Sequence, residues 1–381
     1  MKILVDISWM SAERLNASFS KYVMRLLSGI PALHKDNYCL LFEKDSAALL
    51  HDIFPDFNFK TVNLYHRKGQ IFPRPRNFFR AINFARAVNN SGCDKVFFPG
   101  EAERFMIRYL KLPYVLVIHD LKRLKTDFKE SGKGFNAKIR ARRMRDRYRH
   151  SIPKAAQIIA ISDFTLNDVR YFFPDTNPGR LHMVHNSVTV SPLSQKPKAL
   201  SDSEKYILFI NSLEPFKNLH TLVKAYSIIA SQIKEKLIIV GKDSGYYRNT
   251  ILPLIKEKKL ENRIIRLQNI TDAEIRYLYE NASLFVSPSL HEGFGFTPIE
   301  AAICMCPVLC SMSDSLPEVT KGQLNYYEPA EDENALAAEM SSLLNIPPTK
   351  EKLKEISEDF IQSYSPEKQA CEIEKILSLD S

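Results

Sequence analysis

Residues 287–302 contain the side chains with the clearest potential for chemistry. They read Ser-Pro-Ser-Leu-His-Glu-Gly-Phe-Gly-Phe-Thr-Pro-Ile-Glu-Ala-Ala, so that Glu292 and Glu300 flank a Gly-Phe-Gly turn. The apolar run before this segment predicts a strand, and the residues after the turn predict a helix. Free backbone N–H groups at a helix start, beside glycines that permit close approach, form a cradle for a diphosphate. The segment therefore predicts a site for a phosphorylated ligand.

The same residues also support a purely structural interpretation. Thr297 can cap the helix, Pro298 suits its first position, and Glu300 stands three residues after the threonine, as in a capping box. The two interpretations are compatible, and both stay open at this point.

The sequence predicts two series of strands that alternate with helices, and this alternation indicates parallel α/β sheets. The second series would position residues 287–302. The polar stretch 191–203 predicts an interdomain linker. The 381 residues are then expected to form two Rossmann-like domains, 1–198 and 199–365, followed by an amphipathic helix within 366–381. The predicted strands are 3–5, 96–98, 114–118 and 158–161 in the first half, and 206–210, 237–240, 264–267, 284–286 and 308–309 in the second.

The net charge differs sharply between the two halves. Residues 1–198 carry 34 Lys and Arg against 17 Asp and Glu, a net charge of +17. Residues 199–381 carry 19 against 27, a net charge of −8. A basic domain concentrates anionic partners, whether a diphosphate lipid, an acidic bilayer or nucleic acid.

Much of this positive charge lies in two segments of the first half. Cationic and aromatic side chains together suit a membrane interface, whereas a solvated helix face beside core phenylalanines explains the same pattern. No recognised nucleic-acid module accompanies the charge, so nucleic acid is not an expected partner. The residues concerned are Lys138, Arg140, Arg142, Arg143, Arg145, Arg147 and Arg149, and earlier Arg74, Arg76, Arg80 and Arg86 interleaved with Phe72, Phe78, Phe79 and Phe84.

Cysteine content and hydropathy narrow the class of protein. Six cysteines are few for this length, and the first eleven residues lack the pattern of a signal peptide, so a reduced, cytoplasmic setting is expected. No apolar run reaches the roughly 18 residues of a membrane span, so membrane contact is expected to be peripheral. The spacing of Cys304, Cys306 and Cys310 differs from that of zinc sites, and no Asp-x-Asp triplet is present. Neither a metal nor a cofactor is therefore expected.

These features resemble the retaining glycosyltransferases of family 4, also called glycosyl transferases group 1. Two glutamates separated by seven residues around a Gly-Phe-Gly turn are similar to the donor motif of that family. The resemblance implies two facing Rossmann-like domains (GT-B architecture) with a cleft between them and a last helix that returns to the first domain. Further similar segments are 118–121, 158–164, 213–219, 304–309, 315–319 and 326–329.

The resemblance also implies roles for individual residues. Glu300 would bind the ribose hydroxyls of the nucleotide, Glu292 would lie beside the transferred sugar, and Lys217 would neutralise the diphosphate. A fixed cation stabilises the charge that the leaving nucleoside diphosphate gains as the glycosidic bond breaks. His119, at the end of a predicted strand, would contact the donor sugar or the acceptor. The structural alternatives are a solvated lysine and a hydrogen-bonded core histidine.

Other residues complete the expected site, and some depart from the family pattern. Asn211 and Ser212 stand where relatives often carry Gly-Arg, Phe216 stands where Arg is frequent, and the turn 16–20 lacks the usual glycines. The expected donor-binding residues are Glu300, Gly293, Phe294, Gly295, Phe296, Thr297, Asn211, Ser212 and Ile270, and the expected acceptor-side residues are Ser18, Phe19, Ser20 and Asp120.

The expected function is transfer of a hexosyl group, with retention of configuration, from GDP-mannose or a UDP- or dTDP-sugar. The expected acceptor is a lipid-linked or oligosaccharide glycan, at the cytoplasmic face of the inner membrane, in the synthesis of a cell-surface polysaccharide such as lipopolysaccharide O-antigen. Glu292 would act by position and electrostatics rather than as a nucleophile. Two alternatives are a nucleotide-sugar-binding subunit without turnover and a nucleotide-sugar epimerase or phosphorylase. The donor, the acceptor and the oligomeric state are not readable from the sequence.

Overall fold

The computed structural model describes residues 1–15, 18–64, 74–100, 107–125, 135–201 and 204–379. The described residues form two compact α/β units. The first draws on Met1–Leu124, Ile139–Ser187 and Ser365–Ser381, and the second on Lys125–Lys138 and Val188–Tyr364. The change from the first unit to the second thus falls after Ser187, ahead of the boundary at residue 198 that the sequence predicts.

The first unit is built on a seven-stranded sheet in which every pairing is parallel. Its strands are β1 (Ile3–Asp6), β2 (Tyr38–Glu43), β3 (Asn58–Val62), β4 (Lys95–Phe98), β5 (Tyr114–Ile118), β6 (Gln157–Ala160) and β7 (Leu181–Met183). Their order across the sheet is β3-β2-β1-β4-β5-β6-β7. The central strands are continuous apolar runs, as expected where helices cover both faces of a parallel sheet.

Helices pack on this sheet through buried aliphatic and aromatic side chains, including Phe84 and Val88 of one helix and Met144 and Tyr148 of another. The α-helices with both ends in the described residues before 188 are α1 (Ser18–Ser28), α2 (Ala47–Ile53), α3 (Arg74–Asn89), α4 (Phe135–Ser151) and α5 (Asp163–Phe172).

The last helix of the chain, α13 (Pro366–Leu377), packs in the first unit. Gly29 follows α1 and contacts the backbone of Pro366 so closely that a β-carbon at this position would overlap the Pro366 carbonyl. The buried ammonium of Lys95 donates to the carbonyl oxygens of Leu377 (2.9 Å) and Leu379 (2.6 Å). A cation at a helix C-terminus stabilises the helix dipole, so Lys95 anchors α13 to the sheet.

The second unit contains a six-stranded parallel sheet in the order β10-β9-β8-β11-β12-β13. Its strands are β8 (Tyr206–Ile210), β9 (Lys236–Val240), β10 (Ile264–Leu267), β11 (Leu284–Ser287), β12 (Val308–Ser311) and β13 (Asn325–Tyr327). Its helices are α6 (Leu219–Ile229), α7 (Leu252–Glu257), α8 (Asp272–Asn281), α9 (Phe296–Ile303), α10 (Leu316–Val319), α11 (Glu333–Asn345) and α12 (Lys350–Ser363). The predicted α/β fold class, with two parallel sheets, is confirmed.

Candidate functional site

The turn that leads into α9 is fixed by Gly295. This glycine has φ +96°, and a β-carbon on it would lie 2.6 Å from Cδ2 of the buried Leu316. Gly295 occupies the N-cap position and α9 begins at Phe296, so Thr297 lies within the first helical turn. The predicted capping box of Thr297 and Glu300 is therefore wrong, because the glycine starts the helix earlier than the threonine. Gly295 supplies no capping side chain, and the positive end of the helix dipole at the start of α9 favours a negatively charged group.

A buried ion pair lies beside this turn. The Lys217 ammonium donates to Oε1 of Glu292 over 2.6 Å, and the two side chains are only 10% and 11% exposed. The Ser289 hydroxyl donates to the same carboxylate oxygen over 2.9 Å. Lys217 ends a short 3-10 turn that places its ammonium 5.2 Å from the centre of the Phe216 ring. The structure thus brings together two residues that are 75 positions apart in the chain and for which the family resemblance implies roles in the same step.

Asp314 supports the backbone next to Glu292. Its Oδ2 accepts from the Glu292 N–H and from Nδ1 of His291, both over 3.1 Å. Ser315 donates from its hydroxyl to the Glu292 carbonyl oxygen over 3.0 Å. Asp314 was not identified from the sequence, although a polar residue shortly after β12, at the carboxyl end of a parallel strand, was a usable signal.

Glu300 lies in α9 and is partly exposed. The buried Tyr279 hydroxyl donates to its Oε2 over 3.4 Å. Burial, and then the nearby Glu300 carboxylate, raises the pKa of Tyr279 well above its usual value, so the phenol stays a hydrogen-bond donor. Tyr279 thereby limits the orientations available to Glu300.

The remaining donor-side candidates differ in what they expose. Phe294 is 2% exposed and packs its ring against Tyr364, with centroids 5.7 Å apart, so only its backbone is available to a ligand. Phe296 and Thr297, in the first turn of α9, and Gly293 are partly exposed. Two other strands are followed by further candidates: the partly exposed Asn211 and the exposed Ser212 after β8, and the partly exposed Ile270 after β10.

All of these donor-side residues follow the carboxyl ends of strands in the second sheet. Strand β8 pairs with β9 on one side and with β11 on the other, and the strand order reverses between β8 and β11. Ligands of open α/β sheets bind outside the carboxyl ends at such a reversal. The ion pair of Lys217 and Glu292 and the start of α9 lie at this edge.

His119 lies in the first unit, directly after β5, and its ring is surrounded by aromatic side chains. Nε2 lies 2.8 Å from the Pro99 carbonyl oxygen, and since a carbonyl only accepts, Nε2 carries the proton. Ring centroids of Phe19 and Tyr22 lie 4.6 and 4.7 Å away. Burial lowers the pKa of His119, although Pro99 and Asp120 oppose this effect. A neutral ring then has Nδ1 as a hydrogen-bond acceptor.

The acceptor-side candidates differ in burial and in contacts. Ser20 is fully buried and its hydroxyl donates to the Arg14 carbonyl oxygen over 2.7 Å, which is a structural contact. Asp120 is partly exposed and pairs with the Lys122 ammonium over 3.0 Å. Phe19 is 37% exposed. Residues 16 and 17 and the side chain of Ser18 lie outside the described residues.

The predicted aromatic and basic segments divide between core and surface. Phe84 is buried in the core, whereas Phe78 and Phe79, earlier in α3, are 51% and 60% exposed. Helix α4 buries Met144 and Tyr148. It exposes Arg142, Arg143, Arg145 and Arg149. Residue Phe72 and the side chains of Arg74, Arg76 and Lys138 lie outside the described residues.

The cysteines are unpaired, and five of the six are buried. Burial raises the pKa of the Cys304, Cys306 and Cys310 thiols, which disfavours the reactive thiolate. Within the described ranges, no set of three or more His, Cys, Asp or Glu side chains is arranged to hold a metal ion. In the same part of the chain, no helix combines the length and the apolar character needed to cross a membrane.

Most of the second unit matches a family of known proteins. Residues 191–360 match the family described as Glycosyl transferases group 1. These residues therefore form a Glycosyl transferases group 1 domain, which confirms the resemblance inferred from the sequence for this part of the chain.

The most informative relatives are bacterial transferases. The O-antigen chain mannosyltransferase B of Escherichia coli is 30% identical over 212 residues, which cover 54% of this chain and 55% of that protein. The O-antigen chain mannosyltransferase RfbU of Salmonella typhimurium is 24% identical over 197 residues, or 52% of this chain and 53% of that protein. The chain thus spans about half the length of the curated relatives it matches.

Solved structures share the fold along the whole chain. The crystal structure of HepE from Anabaena, in complex with UDP and glucose, covers 100% of both chains with a TM-score of 0.73 and 15% identity. At this identity the likeness shows the fold alone, which consists of two α/β units with parallel sheets.

Proposed function

We propose that this protein is a retaining glycosyltransferase that moves a hexosyl group from a nucleoside diphosphate sugar to a lipid-linked or oligosaccharide acceptor in cell-surface polysaccharide synthesis. The observation that carries the proposal is the Lys217–Glu292 ion pair beside the glycine-started helix α9, at the reversal point of the second sheet. The group 1 domain and the mannosyltransferase relatives agree with it. Because those relatives transfer mannose, GDP-mannose is the first donor to test.

The chemistry follows from where charge develops. As the bond between sugar and diphosphate breaks, negative charge grows on the leaving diphosphate. The start of α9 and the Lys217 ammonium stabilise that charge, which lowers the barrier. An ammonium has three N–H donors, so Lys217 serves a phosphate oxygen while it stays bonded to Glu292. Glu300 would accept from the ribose hydroxyls, and its contact with Tyr279 holds it in place.

Glu292 would stabilise positive charge on the sugar ring. Its carboxylate is shielded from solvent and fixed by Lys217 and Ser289, so it is oriented before the sugar arrives. Fixed charges in a shielded site act strongly on a developing oxocarbenium ion, because little reorganisation is needed. We assign Glu292 this electrostatic role and infer that departure and attack occur on one face of the sugar, with retention. Determining the anomeric configuration of the product by NMR tests that inference.

We further infer that Lys217 supplies the cation that other transferases obtain from a divalent metal. Transfer rates measured after treatment with EDTA, and again after addition of Mg²⁺ or Mn²⁺, test this. Equal rates support Lys217 as the sufficient cation. A rate that disappears with EDTA and returns with metal contradicts it.

Docking at the cytoplasmic face of the inner membrane is proposed for the first unit. Phe78 and Phe79 are exposed and in contact with each other, and the Phe78 ring also packs on Tyr109, whose ring lies 5.2 Å from the Arg108 guanidinium. Apolar rings beside cations suit an anionic interface, and the exposed arginines of α4 add charge. A membrane-bound position would bring the transferase to a lipid-linked acceptor.

Vesicle sedimentation tests the docking. Vesicles of phosphatidylglycerol and phosphatidylethanolamine should retain the protein, vesicles of phosphatidylcholine alone should not, and Phe78→Ser/Phe79→Ser should reduce binding. Tyr171→Ser is the matched control, because Tyr171 is 79% exposed in the same unit. Equal binding by the double variant and the wild type contradicts the proposed surface.

The function itself is tested by thermal-shift measurements with UDP, GDP, dTDP, ADP and their common sugar conjugates, since a ligand of the folded state raises the melting temperature. The sugar conjugate of the nucleotide that raises the melting temperature is then incubated with the protein and a lipid extract. A glycosylated lipid product supports the proposal. Binding without turnover favours a nucleotide-sugar-binding subunit. The presence of Phe216 at a position where arginine is frequent in the family would agree with that alternative. Product formed without any acceptor favours an epimerase or phosphorylase.

A further inference from the structure

The first sheet has its own reversal point, between β1 and β4. These strands are direct neighbours, with Ile3 paired to Lys95 and Val5 to Phe97. From β1 the chain continues outward through β2 and β3, and from β4 it continues in the opposite direction through β5, β6 and β7. The carboxyl ends of β1 and β4 therefore border the crevice in which α/β sheets bind ligands.

Aromatic rings gather at this crevice. Trp9 follows β1, Gly100 follows β4, and His119 follows β5. Phe19, from the first turn of α1, links them, because its ring centroid lies 6.3 Å from that of Trp9 and 4.6 Å from that of His119. Trp9 is partly exposed and Phe19 is 37% exposed, so both rings present surface to solvent.

Gly100 lies next to these rings. A β-carbon on Gly100 would lie 3.7 Å from Cδ1 of Phe19 and 4.0 Å from Cζ2 of Trp9, which is ordinary van der Waals contact. The backbone of Gly100 is buried and lies next to both rings, and the exposed part of each ring lies elsewhere on its surface. Beside the rings, His119 adds a hydrogen-bond acceptor at Nδ1, because its proton is on Nε2, which donates to the Pro99 carbonyl oxygen.

This combination fits a sugar ring. A pyranose has an apolar face of C–H groups, which packs on aromatic rings, and a rim of hydroxyls, which donate to acceptors such as an imidazole nitrogen. A lipid tail has no donor to offer and would cover the His119 nitrogen without a hydrogen bond, which is unfavourable.

We infer that Trp9 and Phe19, whose rings meet edge to face at 76°, form an aromatic platform on which one ring face packs against the terminal sugar ring of the glycan acceptor, with His119 accepting from one of its hydroxyls. The assignment of this sugar as the acceptor rests on the proposed transferase function. Sugar binding at the platform, however, can be measured without turnover and without any donor.

Tryptophan fluorescence tests the inference directly, because Trp9 is the single tryptophan of the chain. The full chain is titrated with the methyl glycosides of mannose, galactose, glucose, rhamnose and N-acetylglucosamine, each to about 100 mM, since one sugar ring binds weakly. At least one glycoside should give a saturable change in emission and should protect Trp9 from quenching by acrylamide. Phe19→Ala keeps the reporter and should weaken that affinity by about tenfold.

Tyr171→Ala is the matched control, since it removes an exposed ring elsewhere in the same unit and should leave the titration unchanged. Phe19→Leu keeps an apolar side chain of similar size and should also lose affinity, which separates a flat ring from general packing. Saturable binding that both Phe19 variants weaken supports the platform. No response to any of the five glycosides, or equal responses in wild type and Phe19→Ala, overturns it. Failure of the transferase proposal is recognised separately, by the absence of any nucleotide-dependent shift in melting.

Discussion

Replacing Lys217 by methionine should weaken the binding of the nucleoside diphosphate in the donor site. The ammonium is 2.6 Å from Glu292 Oε1 and is 10% exposed, so its charge is poorly screened by water. Hydrogen bonds to charged groups contribute about 1.5 to 3 kcal/mol, and the loss of a diphosphate contact of this kind weakens nucleotide affinity by about 10- to 150-fold. The change also leaves Glu292 as an anion near the diphosphate, which favours the upper end of that range.

Isothermal titration calorimetry with the nucleoside diphosphate selected by thermal shift measures this affinity. Lys224→Met is the control, because it removes the same charge from a surface pair with Glu333 (3.7 Å) in the same unit. The double variant Lys217→Met/Glu292→Gln should recover part of any stability lost with the lysine, since no unpaired buried carboxylate is left. It should not recover nucleotide affinity. Affinities of Lys217→Met and Lys224→Met that agree within about twofold would refute the assignment of Lys217 to the diphosphate.

Three further predictions concern stability, pH and positioning. Gly295→Ala should lower the free energy of unfolding, measured in denaturant titrations, by about 2 to 4 kcal/mol, because the φ of Gly295 is positive and a β-carbon there would overlap a buried leucine. The control is Gly245→Ala, whose β-carbon meets no atom within 4 Å and should change the free energy of unfolding by under about 0.5 kcal/mol. Burial raises the pKa of Asp6 from 3.8 to about 6, so its contribution to stability is present below pH 3.8 and is lost as the pH rises through 6. Asp6→Asn should therefore raise the melting temperature more at pH 8, where the gain is up to about 3 kcal/mol, than at pH 5, and equal gains would contradict this. Asp314→Asn should slow transfer about fivefold, because it weakens the charged contact of Asp314 with the Glu292 N–H. Nucleotide affinity should change by less than about twofold. An unchanged transfer rate would remove Asp314 from the mechanism.

Strands with a strong apolar pattern were predictable from the sequence. Strand β5 is an unbroken apolar run that is buried on both faces, and its predicted and observed bounds agree. Strand β3 was not predicted, because it lies at the sheet edge and four of its five residues are exposed. Strand β2 was not predicted either, although it is apolar and fully buried, so its residues carry the signal of a central strand.

The site was predictable where its chemistry is local in sequence. Glu292, Gly295 and Glu300 lie within one strand–turn–helix segment, so their types and spacing are sufficient to indicate a phosphate cradle. The predicted cap was wrong, because Gly295, with its positive φ, occupies the N-cap position two residues before Thr297. The contacts of Lys217 with Glu292 depend on how the ends of separate strands meet, which residue spacing alone does not specify.

The most direct test of the account is the transfer rate of Glu292→Gln with a radiolabelled donor sugar, measured together with its nucleotide affinity. The substitution keeps the size of the side chain and removes the charge that would face the sugar. We expect nucleotide affinity close to that of the wild type, or up to about fivefold tighter because the Lys217 ammonium is released from its ion pair, and transfer that is slower by orders of magnitude. Transfer at the wild-type rate would contradict the account, since Glu292 would then have no part in the chemistry.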